Sequence, residues 1–421
     1  MKSITMMFLI VMIVNGASLQ NTVKRSINND PVLKALKKDL LMSRMDTGIV
    51  SASYGLNANL SAFAGDEFTQ TPANEQNTKY SLIHGITITG NYNLYSGHKN
   101  EFEIKEKLEY EKLARLKLVD KKISIAKETA IYYIEVLKRY YIYQEYVKSV
   151  NNYKRLIKKI SKKVEEGGGR ESDLIQTKSR MKYEQTSMLI AKQEYLQALL
   201  LLSKYTGVRP NIKTMKLPKL QKLPSLNYLL NRAKKYNTSI GSLILQKNIS
   251  SHLIEVQKSR LYPTIDIEGL GNISYNEYGI DGANKNARIT IAAKYRLYDS
   301  GATKLSIEKA KLQSLKMGDS IRDAQREVLN NIKILYNKYD LYRDRIKTIE
   351  QNIRYAKEAE VLYIKEEEET GERSIIDILN IQKEYSTAKI AKIDSKYTAM
   401  QIYYDLMGST PDILNMFHIS K

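Results

Sequence analysis

The stretch ITITGNYNLYSG, Ile86 to Gly97, alternates apolar and polar residues, and ITIAAKYRLYDSG, Ile289 to Gly301, does so again. A period of two puts one set of side chains on each face of a strand. Four such segments can be read, at about 48–62, 80–95, 264–276 and 288–298. In the first, Val50, Ala52, Tyr54, Leu56, Ala58 and Leu60 oppose Ser51, Ser53, Gly55, Asn57, Asn59 and Ser61. In the second, Ile86, Ile88, Tyr92 and Leu94 oppose Thr87, Thr89, Asn91 and Asn93. The third sets Ile265, Ile267, Ile273 and Tyr275 against Asp266, Glu268, Asn272 and Ser274, with Leu270 as an exception. The fourth sets Ile289, Ile291, Ala293, Tyr295 and Leu297 against Arg288, Thr290, Lys294 and Arg296.

The rest of the chain has the period of a helix. No proline falls between Lys99 and Val164, and apolar residues such as Ile123, Ala126, Ala130, Leu137, Val150, Ile157 and Ile160 recur at helical spacing. Helices are expected at about 99–165, 172–206, 301–368 and 374–407. Leu174, Met181, Met188, Ala191, Tyr195, Ala198 and Leu202 fall three, four or seven apart, as do Leu379, Gln382, Ser386, Ile393, Tyr397, Met400 and Tyr404. Such stripes are coiled-coil seams.

These elements occur twice. A shift of 203 residues aligns the two alternating stretches above, and a shift of 204 aligns GGGRESDLIQ (167–176) with GERSIIDILN (371–380). Gly207, Pro210 and Ile212 match Gly408, Pro411 and Ile413 at the close of each half. The expected organisation is a first repeat over 19–207, a proline-bearing linker over 208–226, and a second repeat over 227–421. The segment between Pro31 and the first expected strand is shorter than its counterpart before Pro263, which points to a reduced upper helix in the first repeat.

Composition narrows the chemistry. The 421 residues include no cysteine, so thiolate metal sites, cysteine nucleophiles and disulfides are excluded. His84, His98, His252 and His418 are scattered without ligand spacing, so neither a metal nor another cofactor is expected. The formal net charge of +21 raises nucleic acid as a partner. The lysines, however, are dispersed along helices among many acids, which reads as solvated surface. The start, MKSITMMFLIVMIVNGASLQ, has the form of a secretory signal over 1–18, and no later segment has the apolar length of a membrane helix.

An exported chain whose helices bury their apolar stripes on one another leaves no core for the apolar faces of four strands. Lipid suits those faces, and water suits the polar ones, as in a barrel wall. Four strands cannot close alone, and open edges are forbidden in lipid, so several copies must share one barrel. The loops Phe63 to Lys79 and Glu277 to Ala287 would then face outward.

The signal, the duplication, the motifs YNLYSG and YRLYDSG, the Gly-x5-Asp tips and the Gly-x-x-Pro closings together resemble the TolC-like outer-membrane efflux proteins. That resemblance implies a mainly α fold with a transmembrane β-barrel portion. Three chains would share a 12-stranded barrel, four strands per protomer, above an α-barrel of long antiparallel coiled-coil helices. It implies an outer-membrane location with the helical tunnel in the periplasm, and passive efflux or type I secretion without enzymatic activity. The implied partners are a periplasmic adaptor and an inner-membrane transporter.

The resemblance also implies a periplasmic gate. Asp377 matches a constricting aspartate, Asn380 stands where a second is usual, Arg373 matches a latching arginine, and Ser172 and Asp173 match its partners. Gly167 and Gly371 are the tip glycines, the first tip carries three glycines instead of one, and Glu368 stands where a latch tyrosine is common. Three copies of Asp377 around a mouth would favour cations. Equally, Asp173 and Asp377 fit the first turn of a helix, where carboxylates favour the dipole. Asp266, Glu268, Lys294 and Arg296 would face the barrel lumen. The alternative to a duct is a soluble periplasmic coiled-coil scaffold.

Overall fold

A computed structural model describes residues 18–70, 79–369 and 373–420, so most of the signal segment and the tip glycine Gly371 lie outside the described residues. The order of elements is α1 (Leu19–Asn29), α2 (Pro31–Ser53), β1 (Asn57–Thr69), β2 (Lys79–Tyr95), α3 (Lys99–Glu165) and α4 (Glu171–Thr206). It then repeats as α5 (Leu226–Tyr236), α6 (Thr238–Lys258), β3 (Thr264–Tyr275), β4 (Ala283–Lys294), α7 (Ala302–Glu369) and α8 (Ile375–Met407), closing with α9 (Asp412–Met416). The chain divides into two units, one of Ala35–Lys117 and Ser239–Ala324, the other of Met1–Lys34, Leu118–Thr238 and Gln325–Lys421.

The first unit holds a four-stranded antiparallel sheet in the order β1-β2-β3-β4. Its register sets Leu60 opposite Ile88, Ile86 opposite Ile273, and Ile267 opposite Ile291, so one face is apolar across all four strands. The same register puts Asn91 opposite Glu268 and Glu268 opposite Thr290 on the other face. Each passage from sheet to long helix takes two consecutive left-handed residues, Gly97–His98 and Ser300–Gly301. A Cβ on Gly97 would lie 2.5 Å from the Ser259 carbonyl oxygen, so the turn needs glycine there for space as well as for φ. At the second passage the Asp299 carboxylate accepts from the amides of Gly301 and Thr303, opening α7.

Several expected boundaries move. The strand expected at 48–62 starts at Asn57, and Val50 and Ala52 belong to the last turns of α2. Small residues such as Ser51 and Ala52 fit either period, and a helix already running from Pro31 extends through them at one bond per residue. It stops where the Gly55 amide turns back to the Ala52 carbonyl. With 23 residues against 21 in α6, α2 is not reduced, contrary to the expectation from segment length. β4 spans 283–294 instead of 288–298, so residues 283–287, expected in a loop, extend the strand and Arg296 lies beyond its end. β1 likewise runs to Thr69, well into the expected first loop.

In the second unit the repeats are visible in their caps. The Ser18 and Ser225 side chains cap α1 and α5, the Asn29 amide donates to the Thr206 carbonyl, and the Asn237 amide donates to the Ser409 carbonyl. A core of Leu229, Ala233, Ile332, Leu335, Ile402 and Leu406 joins α5, α7 and α8. The segment between α4 and α5 is pinned by the buried Tyr133, whose hydroxyl donates to the Lys216 carbonyl and accepts from the Lys216 amide. Arg232 forks onto both Asp412 oxygens, tying α5 to the start of α9.

Candidate functional site

The sheet carries two surfaces of opposite character. On the apolar face Leu60, Ile289 and Ile291 are 73%, 82% and 72% exposed, so nothing among the described residues covers them. Tyr80, Leu82, Ile86, Ile88 and Ile273 share that exposure. Single exposed aliphatics are ordinary, but a contiguous face across four strands marks a surface built for an apolar medium or a partner. Among the described residues no helix is long and apolar enough to cross a membrane.

On the polar face side chains hydrogen-bond from strand to strand. Thr87 Oγ1 donates to Asn272 Oδ1 at 2.8 Å, and Asn93 Nδ2 donates to Asp266 Oδ1 at 2.7 Å. Asn93 Oδ1 in turn accepts from Asn100 at the start of α3. Lys294 Nζ lies 3.1 Å from Glu268 Oε1, so two of the four residues expected in the lumen neutralise each other. Asp266 and Glu268 sit on β3 and Lys294 ends β4, whereas Arg296 is past the strand.

The tip residues lie at helix ends in the second unit. α3 ends as the Gly168 amide bonds the Lys163 carbonyl and the Gly167 amide bonds the Val164 carbonyl, with Gly167 at φ +79°. This is a Schellman stop, and it accounts for the first tip glycine. Ser172 and Asp173 follow in the first turn of α4, and Thr177 Oγ1 donates to the Asp173 carbonyl. On the other hairpin Ser374 caps α8 through the Ile376 amide, and Asp377 occupies the first turn three residues on. Asp377 is half-buried and Asn380 is exposed.

The structure does not join Arg373 to Asp173 within the chain. Arg373 Nε lies 2.6 Å from Glu366 Oε2, and its guanidinium sits 4.1 Å from the Tyr363 ring centre. The Glu366 hydrogen bond, opposed by slight desolvation and aided by its charge, raises the arginine pKa further above its ordinary value. Asn380 Oδ1 instead accepts from Arg180 Nη1 of α4 at 2.8 Å. One turn further Glu184, 1% exposed, is held by Lys383 of α8 and by Ser149 Oγ of α3 at 3.0 Å.

Further ion pairs cross between the hairpins. Lys389 reaches Glu145 at 2.8 Å, Lys127 reaches Asp405 at 3.1 Å, and Lys159 reaches Glu368 at 2.6 Å. None of Tyr363, Glu366, Arg180, Glu184 or Lys383 stood out in the sequence. Only the spacing of Arg180 and Glu184 against Asn380 and Lys383, four residues beside three, hints at paired rungs.

This arrangement, a four-stranded sheet leading into long paired helices in each of two repeats, is the fold of outer-membrane channels. The fold is similar to that of VceC from Vibrio cholerae, with a TM-score of 0.81 at 13% identity over 93% of this chain and 95% of that one. It is similar to the CmeC outer membrane channel of Campylobacter jejuni (TM-score 0.80, 17% identity, 93% and 85% covered). The MtrE outer membrane channel of Neisseria gonorrhoeae also resembles it (TM-score 0.78, 13% identity, 93% and 88% covered). Residues 229–410 match the model of the family described as outer membrane efflux protein, and no curated protein sequence matches the chain. The second repeat thus matches that family's model, and the chain as a whole has the fold of these outer-membrane channels.

Proposed function

We propose that three copies of the chain form one passive exit duct, each lending four strands to a twelve-stranded barrel. One observation carries this reading: among the described residues the sheet has a bare apolar face and two unpaired edge strands, β1 and β4, which cannot end in lipid. A second uncovered surface supports it. Ile334, Leu341, Tyr355 and Leu362 of α7, spaced in sevens across Thr348, are exposed, as are Leu189, Ile190, Leu196 and Leu200 of α4. Seams of this kind call for helices of neighbouring copies.

In this reading the polar sheet face, with Asp266, Glu268 and Lys294, lines the lumen, and Arg296 lies just below it. Residues 1–18 are an export signal, and 208–226 link the repeats. The tips, including Gly167 and Gly371, meet a periplasmic adaptor that couples the duct to an inner-membrane transporter. The mouth is formed at Asp377 and Asn380. Arg373, held in place by Glu366 and Tyr363, remains the candidate latch toward Ser172 and Asp173 of a neighbouring copy. The test is purification in detergent followed by planar-bilayer recording. A trimer that conducts, with conductance raised by Arg373→Ala, is the expected result. A monomer, or a silent bilayer, rejects the duct, and unchanged conductance in the variant rejects the latch alone.

A further inference from the structure

At the mouth the structure places a cation from a second helix beside the residue that replaces the second constricting carboxylate. Asn380 on α8 is exposed, and Arg180 of α4 donates to its side-chain oxygen at 2.8 Å. A guanidinium within hydrogen-bond reach of Asn380 shares whatever space Asn380 faces. Among the described residues no carboxylate forms an ion pair with Arg180, so its charge is not cancelled locally. Asn380 is neutral, and at this level each chain therefore presents one positive charge. Asp377, three residues earlier on α8, presents one negative charge, while the cation closest to it in sequence, Arg373, is engaged by Glu366.

Resting on the duct reading above, we infer that Arg180 sets the charge selectivity of the mouth. It offsets the ring of Asp377 carboxylates, so the mouth admits small anions as readily as cations. The buried rung above it, Glu184 with Lys383 and Ser149, holds α4 and α8 in register and keeps the guanidinium at that level. The effect can be sized from screened Coulomb interaction. A unit charge one Debye length away, about 8 Å at physiological salt, changes the local concentration of a monovalent ion about 1.4-fold, and three copies change it about two- to threefold.

The full-length protein, reconstituted in planar bilayers under a potassium chloride gradient, gives a reversal potential that reports the ratio of potassium to chloride permeability. For the native chain the ratio is expected near unity. Arg180→Gln keeps a hydrogen-bonding amide without the charge and, because potassium gains the factor that chloride loses, should raise the ratio about sevenfold. Asn380→Asp should raise it in the same direction, and Asp377→Asn should lower it. A native channel strongly selective for potassium, or an Arg180→Gln channel whose reversal potential does not move, overturns the inference while leaving the duct in place. A native protein that never conducts overturns the duct reading, and this inference with it.

Discussion

Lys383→Met tests the buried rung between the hairpins. Glu184 is 1% exposed and has two partners, Lys383 and Ser149, whereas the Lys383 side chain is 41% exposed. Removing the lysine amine leaves a carboxylate in the interior with a single hydroxyl. Stranding a buried charge costs about 3–5 kcal/mol, and water reaching the carboxylate past the partly exposed substituted side chain places this case near the lower end. Glu184→Gln does the opposite: the amide keeps a bond to Ser149, and the freed lysine turns to solvent, for about 1 kcal/mol. At about 1.4 kcal/mol per factor of ten, amide exchange should speed about 100-fold in Lys383→Met and about fivefold in Glu184→Gln. The affected amides are those of α4 near 178–190 and α8 near 378–388, read by native-state hydrogen exchange in detergent, which requires no two-state unfolding. Equal protection in both variants, or a larger loss in Glu184→Gln, would refute the reasoning.

Gly97→Ala should lower the melting midpoint of the detergent-solubilised protein by the equivalent of about 2–4 kcal/mol, through the clash with Ser259 and a left-handed backbone. Gly301→Ala, with φ +84° but nothing within 4 Å of the added carbon, should cost about 1–2 kcal/mol, and equal losses would refute the contrast. Burial pushes the Glu145 carboxyl up, but hydrogen bonds from Lys148 and Lys389 and their charges prevail and hold its pKa below the ordinary value. Its contribution is therefore present above about pH 4.3 and lost as pH falls through the lowered value. Exchange differences between the native chain and Glu145→Gln near Lys389 should accordingly be seen at neutral pH and shrink on acidification; a difference that does not shrink as pH falls would contradict this. Tyr133→Phe should speed exchange of the Lys216 amide by about 1–2 kcal/mol while α3 stays protected, and an unchanged Lys216 would exclude the bridge.

The fold class was legible because its two periods are long and do not compete. The alternation from Ile86 to Leu94 in β2 and uninterrupted helical spacing after Lys99 each have many positions to agree on. Legibility failed where small residues satisfy both periods, as at Ser51, Ala52 and Ser53, which a helix started at Pro31 absorbs. It also failed at the end of β4, where Tyr295, Arg296 and Leu297 keep alternating although strand pairing ends at Lys294 with Thr264. Alternation reports faces, whereas pairing depends on a partner strand far away in sequence. At the helix tips, Asp377 and Arg373 stood out through repeat matching and the family resemblance. Their partners did not, because Arg180 meets Asn380 across 200 residues of chain. Glu184 looked like one more acid on a charged helix, and only its burial between α3 and α8 sets it apart.

The central claim is that lipid covers the apolar face of the sheet. Since the chain has no cysteine, a single one introduced at Ile289 or at its neighbour Thr290 can carry a fluorescent label without background. In vesicles containing brominated lipid, the label at position 289 should be quenched. The label at 290 should instead be quenched only by a water-soluble agent. A label at 289 that brominated lipid leaves bright would contradict the account.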